Sequence, residues 1–225
     1  MGTRLTVQTG LWLTVMAAML LVPAGDWRWP QAWVFLGEQG LCGAAVGAWL
    51  LRHDPALLAS RLSAPLRRDQ LPWDRVFMLA ATIVFIGWMG LIGLDARRFA
   101  WSQVPLAGEA VGALLIALGM LIIWQTFRHN SFAAPQVRLQ AERGHRVVSD
   151  GPYGVVRHPM YAGSVLWLLG TPLLLGSWWG MAVVPLLVVG LAARIVGEER
   201  MLRRGLPEYD EYARRVRFRL IPGLW

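Results

Sequence analysis

No lysine occurs anywhere in the 225 residues; all 22 basic side chains are arginine. Nothing functional follows from that substitution of one cation for another. A single cysteine, Cys42, excludes an intrachain disulfide, and its apolar surroundings mark it as a small packing residue. Charged residues make up only 16% of the chain, where a soluble domain carries about 25%. Several cofactor and nucleophile signatures are also missing. There is no GxGxxG after a strand, no GxxxxGKS/T, no HExxH, no CxxC and no Ser or Cys in a recognisable elbow. The four histidines (His53, His129, His145 and His158) lack metal-ligand spacing, so no metal is expected.

Apolar residues fill the space, at 56% of the chain, and they come in blocks. Such blocks are the mark of a polytopic membrane protein. Apolar runs cover about Gly10–Ala24, Gln31–Leu51, Val76–Leu94 and Val104–Phe127. A stretch from Met160 to Val196 is too long for one spanning helix, which needs roughly 20 residues. Its break at GSWWG, residues 176–180, predicts two short helices in a hairpin. The expected fold is therefore all-α: a transmembrane bundle of about six helices, the last two forming the hairpin. Residues 1–130 form the N-terminal membrane helices, and residues 131–225 form a cofactor-binding, catalytic region with a cytoplasmic tail.

Charge sets the expected orientation. With six crossings and a cytoplasmic N-terminus, the inner segments (1–9, 52–75, 128–159 and the tail from Arg194) hold nineteen of the 22 arginines. The outer loops keep Arg28, Arg97 and Arg98, a bias that follows the positive-inside rule. The expected location is the bacterial inner membrane, with both termini and the polar site facing the cytoplasm. The net charge of +8 then reflects topology and anionic lipid, with no nucleic-acid partner. Arg4 ahead of an apolar stretch ending in VPAG also fits a signal peptide; an uncleaved first helix is the favoured reading.

Three features inside the bundle stand out. GLCGAAVG, residues 40–47, places small residues at helical spacing for close helix approach. Glu38 is an acid within an apolar helix, facing either a polar cavity or another helix. Trp27, Trp29 and Trp33 read as an interfacial anchor.

The longest polar loop, about Arg128 to Arg157, leads into GPYGVVRHPMYAG, residues 151–163. Arginine and histidine set directly against an apolar helix need water, headgroups or a ligand to receive them. Three Gly and two Pro in that stretch impose a specific backbone path. With the tail, this loop gathers His129, Gln140, His145, Tyr153, Arg157, His158, Glu198, Glu199, Tyr209 and Tyr212 on one expected surface. Arg194 and Glu198 share one face of the last apolar helix at i,i+4 spacing, which equally fits a plain ion pair. Glu199 and Arg200, at the helix exit, read as solvated.

GHRVVSDGPYGVVRHPMYAG (144–163), RIVGEERML (194–202) and YDEYARRVRFRLIP (209–222) together resemble the isoprenylcysteine carboxyl methyltransferase family. The likeness covers about the last 85 residues, with the motifs in order, and the N-terminal helices match only as generic membrane helices. The resemblance implies S-adenosylmethionine as cofactor and a methylated carboxylate as product. It implies cofactor contacts from His145, Arg146, Val147, Val148, Tyr153, His158, Pro159, Met160, Tyr161 and Glu198, and from Gln140, whose spacing fits less cleanly. Arg194 would face the substrate and, with Arg157, is a catalytic candidate. The substrate would be lipidated or prenylated and come from the bilayer, among membrane lipids. The wider group includes phospholipid methyltransferases and sterol reductases, so a lipid-amine N-methyltransferase is the alternative. A nicotinamide-dependent reductase and a non-enzymatic scaffold are the further alternatives.

Overall fold

A computed structural model describes residues 1–63 and 70–225; residues 64–69, within the loop assigned to the inner side, lie outside the described residues. Among the described residues every regular element is helical. The order is α1 (Gly2–Ala24), α2 (Pro30–His53), α3 (Pro55–Arg61), α4 (Pro72–Gly93), α5 (Leu106–His129), α6 (Pro159–Leu175), α7 (Trp178–Gly205) and α8 (Tyr209–Arg215). A π-turn, Leu94–Arg98, prolongs α4. Five of these helices are long and apolar enough to cross a membrane: α1, α2, α4 with its π-turn, α5 and α7. The protein is thus an integral-membrane helical bundle, as the hydropathy blocks predict.

The sixth apolar helix, α6, has 17 residues and reaches about 26 Å at 1.5 Å per residue, just short of a ~30 Å bilayer core. It is the most enclosed helix, with Gly163, Leu168, Gly170 and Leu174 buried. Its backbone lies directly on that of α5. A Cβ at Gly163 would stand 2.6 Å from the Gly119 carbonyl oxygen, and one at Gly170 would stand 2.5 Å from that of Gly112. These four glycines, seven apart on each helix, make the tightest seam in the bundle. The expected small-residue face at Gly40–Gly47 is looser: Gly40 and Gly47 receive Leu13 and Leu5 of α1.

The hairpin turns where the sequence breaks. Gly176 takes φ +84°, a left-handed conformation, and Ser177 caps α7 by accepting from Gly180 N–H at 2.8 Å. Buried Asp95 locks the turn, accepting from Ser177 Oγ at 2.6 Å and from Trp179 N–H at 3.2 Å. One expectation needs correction: α7 is long, at 28 residues. The apolar run stops near Val196, but GEERMLRR consists mostly of good helix formers, so the helix continues. At about 42 Å it overshoots the bilayer, and its last turns carry charged residues beyond the apolar core. That overshoot builds the site.

Trp29 also departs from expectation. Trp27 and Trp33 are exposed as an interfacial anchor requires, whereas Trp29 is 2% exposed and packs in the main core with Met16, Phe35 and Trp88. Glu38 has a buried carboxylate oxygen with no hydrogen-bond partner.

Candidate active site

Pro159 opens α6 at N1, the first-turn position where its missing N–H costs nothing, with His158 as N-cap. The preceding Arg157 lies against the C-terminal tail. Its backbone N–H donates to Phe218 O and that of His158 to Arg219 O, both at 2.9 Å. Arg157 Nη1 donates to Val216 O and Arg217 O, at 2.8 and 2.9 Å. Its Nε donates to Glu199 at 2.7 Å. Glu199 is buried and also receives Arg219 at 3.0 Å, with His158 Nε2 at 3.4 Å. The reading of Glu199 as solvated is therefore corrected: it is the node that fastens the RHP turn and the tail to α7.

Arg194 and Glu198 do lie on one face of α7, but they do not bond to each other. Arg194 Nε donates to Asp74 of α4 at 3.0 Å and Nη2 to Pro135 O at 2.6 Å. Asp74 is fully buried and also accepts from Gln70 at 2.6 Å and from Val137 N–H at 3.0 Å. Glu198 instead accepts the Tyr161 hydroxyl at 2.9 Å. The Arg194 guanidinium sits 5.9 Å from the Tyr161 ring centre and 5.5 Å from that of Phe77.

The segment from Asn130 to Asp150 forms the opposite wall. His145 stacks on Phe132 at 4.6 Å between ring centres, and its Nδ1 accepts from Gln140 N–H at 3.3 Å. Burial holds His145 below the usual imidazole pKa, with Arg138 and Arg143 adding to the effect and Glu198 opposing it. Gly151 then turns the chain at φ +55°, where a Cβ would strike the His129 ring at 2.5 Å; only glycine fits there. The turn delivers Tyr153, whose hydroxyl accepts from Asn130 at 2.7 Å and whose carbonyl accepts from Tyr212 at 2.9 Å. Burial pushes the Tyr153, Tyr209 and Tyr212 phenols well up, so all three stay protonated.

These walls enclose a cleft. The structure brings His145, Arg146, Val147, Val148, Tyr153, Arg157, His158, Met160, Tyr161, Arg194 and Glu198 to its lining. Two expected residues are absent from it. Gln140 is 1% exposed and supports the wall from behind, donating to Phe132 O and accepting from Arg143. Pro159 is spent on starting α6. The enclosed volume is about 90 Å³, below the ~300 Å³ at which small-molecule sites usually begin. As it stands the cleft is smaller than a nucleoside-sized ligand.

Two features of the lining ask for a ligand. The Tyr209 hydroxyl is buried and has no hydrogen-bond partner. The backbone N–H groups of Arg146, Val147 and Val148 also have no backbone acceptor among the described residues. Asp74, which holds Arg194, escaped the sequence reading, whereas Glu199 was placed on the expected surface but read as solvated. The one available signal for Asp74 was an acid in the first turn of an apolar span.

A second cavity of about 910 Å³ opens between α1, α2, α5, α6 and α7. It is mostly apolar, lined by Leu11, Trp12, Ile123, Trp167 and Leu191 among others, with Arg61 at one end of α3. Among the described residues no group of His, Cys, Asp and Glu stands ready to hold a metal ion.

Comparison with known proteins bears on the same region. Residues 108–208 match the family described as Phospholipid methyltransferase. The probable protein-S-isoprenylcysteine O-methyltransferase of Oryza sativa subsp. indica is 29% identical, over 51% of this chain and 58% of the relative. The protein-S-isoprenylcysteine O-methyltransferase of Schizosaccharomyces pombe is 33% identical, over 44% and 46%. The cobalt-zinc-cadmium resistance protein CzcN of Cupriavidus metallidurans is 33% identical, over 48% and 50%. The chain thus spans about half the length of the curated relatives it matches.

Proposed function

Residues 108–208 match the family described as Phospholipid methyltransferase, and relatives named protein-S-isoprenylcysteine O-methyltransferase are similar to about half of the chain; from that likeness we propose that this protein methylates a lipid-borne carboxylate with S-adenosylmethionine. The observation that carries the reading is the unpartnered, buried Tyr209 hydroxyl, which shares a cleft with Glu198. The donor set fits the cofactor. Glu198 suits a ribose hydroxyl or an ammonium, and Tyr209 supplies a neutral donor. The backbone N–H groups at 146–148 suit a purine edge, and the His145–Phe132 stack offers a flat face.

The cofactor, when bound, supplies an electrophilic methyl on a sulfonium sulfur. Transfer of that methyl to a carboxylate oxygen would return the S–CH₃ bonding pair to sulfur, giving a neutral thioether and a methyl ester. No proton moves, since a carboxylic acid is already ionised near pH 7. The chain therefore needs no strong base; it needs alignment and exclusion of water, which in well-oriented systems lower a barrier by roughly 7–11 kcal/mol. The Arg157–Glu199–Arg219 node and the Arg194–Asp74 pair hold the cleft walls to that geometry, and the apolar groove receives the acceptor's chain from the bilayer. The arginine bias of the segments around the site supports a cytoplasmic location, where the cofactor is made.

The matched family's description favours a second reading, methylation of a phospholipid amine. Protein incubated with methyl-tritiated cofactor and, separately, N-acetyl-S-farnesylcysteine, a fatty acid and phosphatidylethanolamine decides between them. Base-labile label on a carboxylate is the expected result. Label confined to phosphatidylethanolamine would replace this reading with the second.

A further inference from the structure

Arg61 ends α3 in an unusual position for a cation. Its Nη1 donates to Ala133 O at 2.8 Å and lies 4.0 Å from Met160 Sδ. Its guanidinium stands 4.3 Å from the Phe127 ring centre. Ala133 and Met160 line the polar cleft, whereas Arg61, with Leu62 and Ser63, lines the apolar groove. Arg61 is thus the partition between the two cavities.

Three of the four arginines lining the polar cleft are neutralised, and Arg61 is not. Arg157 is paired with Glu199, Arg194 with Asp74 and Arg138 with Glu142. Arg61 has no carboxylate at ion-pair distance among the described residues, although it is partly buried. Arg146 also lacks such a pair, but it is exposed and does not line the groove. Burial pulls the Arg61 guanidinium down to about 10, the response of a cation taken out of water without a counter-charge. It is still fully protonated at neutral pH.

The groove has the complementary composition. Among the described residues Arg61 is the one ionisable side chain in its lining. The lining on α1 runs from Gln8 to Val15 and on α5 from Met120 to Phe127, each about two turns, or ~10 Å. The Gln39 Nε2, buried and without a hydrogen-bond partner, adds a donor along the apolar wall.

We propose that Arg61 receives the carboxylate of a single-chain amphiphile whose apolar tail lies in this groove, and so selects an anionic acceptor against an amine. The fork of N–H donors left on its guanidinium matches a carboxylate, and a cationic headgroup in the same place is repelled. The tail leads back between the helices, and the headgroup faces the cleft across Met160. The assignment depends on the proposed methyl transfer for its purpose and on the geometry alone for its existence.

Calorimetry on the full-length protein in detergent tests it, with N-acetyl-S-farnesylcysteine, its amide and farnesyl phosphate as probes. The wild type binds the acid more tightly than the amide, by about 10- to 100-fold for a charge-assisted contact. Arg61→Gln, which keeps a donor for Ala133 O, abolishes that preference while leaving affinity for the amide and for S-adenosylmethionine unchanged. Arg61→Lys retains part of it. An acid-to-amide ratio unchanged in Arg61→Gln, or no preference in the wild type, overturns the assignment. So does Arg61-dependent binding of farnesyl phosphate with none of the acid. Tritium transfer in the same samples separates the two proposals. An Arg61-dependent preference without transfer leaves this site standing and refutes the reaction; transfer without Arg61 dependence does the reverse.

Discussion

Arg194 closes on Asp74, 120 positions away in the chain, and not on Glu198 one helical turn away. The pair joins α7 to α4, and through Val137 N–H and Pro135 O it also tethers the cleft wall. Arg194 therefore reaches the cleft with two of its nitrogens already engaged, which makes it a positioning residue as much as a substrate contact.

Removing one partner of this buried pair strands the other. Asp74→Ala and Arg194→Ala should each lower stability by about 3–5 kcal/mol, the usual cost of an unpaired buried charge. The double variant should recover much of that loss, because the coupling energy is shared. Thermal unfolding of the four proteins in detergent reads the cycle; additive losses would mean that the two side chains act independently.

Tyr209→Phe offers a cleaner view of the cofactor site. Its hydroxyl is buried and unpartnered, so deleting it should leave the melting temperature unchanged or slightly raised. Affinity for S-adenosylmethionine should fall by about 3- to 10-fold, the loss of one hydrogen bond. Glu198→Gln should weaken the same binding further. Equal affinity in wild type and Tyr209→Phe would send that hydroxyl elsewhere.

His145 gives the site a pH dependence of known sign. Its pKa is depressed from 6.5 in the folded protein, chiefly by burial, so the unfolded chain binds the proton first as pH falls. Stability is full above pH 6.5 and declines as pH drops below it. Melting temperature should be lower at pH 5.5 than at pH 7.5, and His145→Gln should narrow that gap. A gap of the same size in the variant would assign it to other groups.

The α5–α6 seam tolerates no side chain. A Cβ at Gly163 would meet the Gly119 carbonyl oxygen at 2.6 Å and Ile123 Cγ1 at 2.9 Å. Gly163→Ala should cost about 1–3 kcal/mol by overpacking and loosen the start of α6. The same change at Gly43, which has open space around it, should be nearly neutral. Chemical unfolding of the two variants makes the comparison.

Sidedness is open to direct test in a Cys42→Ala background. Single cysteines at positions 150 and 27 should label from opposite faces of oriented vesicles, position 150 from the cytoplasmic one. Labelling of position 150 from outside would remove the cofactor's route to the cleft.

Much of this protein was determined by local sequence alone. Apolar blocks near bilayer length dictate membrane helices whatever they pack against, and Gly176 with Ser177 dictates the hairpin turn through its own φ and its own cap. The motif at 144–163 likewise brings nine residues to the cleft lining, because they are close in sequence and need only a turn at Gly151 to converge. Long-range pairing was not available from such signals. Asp74 with Arg194, Glu199 with Arg157 and Arg219, and Arg61 between two cavities all join positions that no periodicity relates. A charge near a helix end looks alike in sequence whether solvent or a buried partner awaits it. Desolvation separates the two cases, and desolvation is a property of the packed bundle.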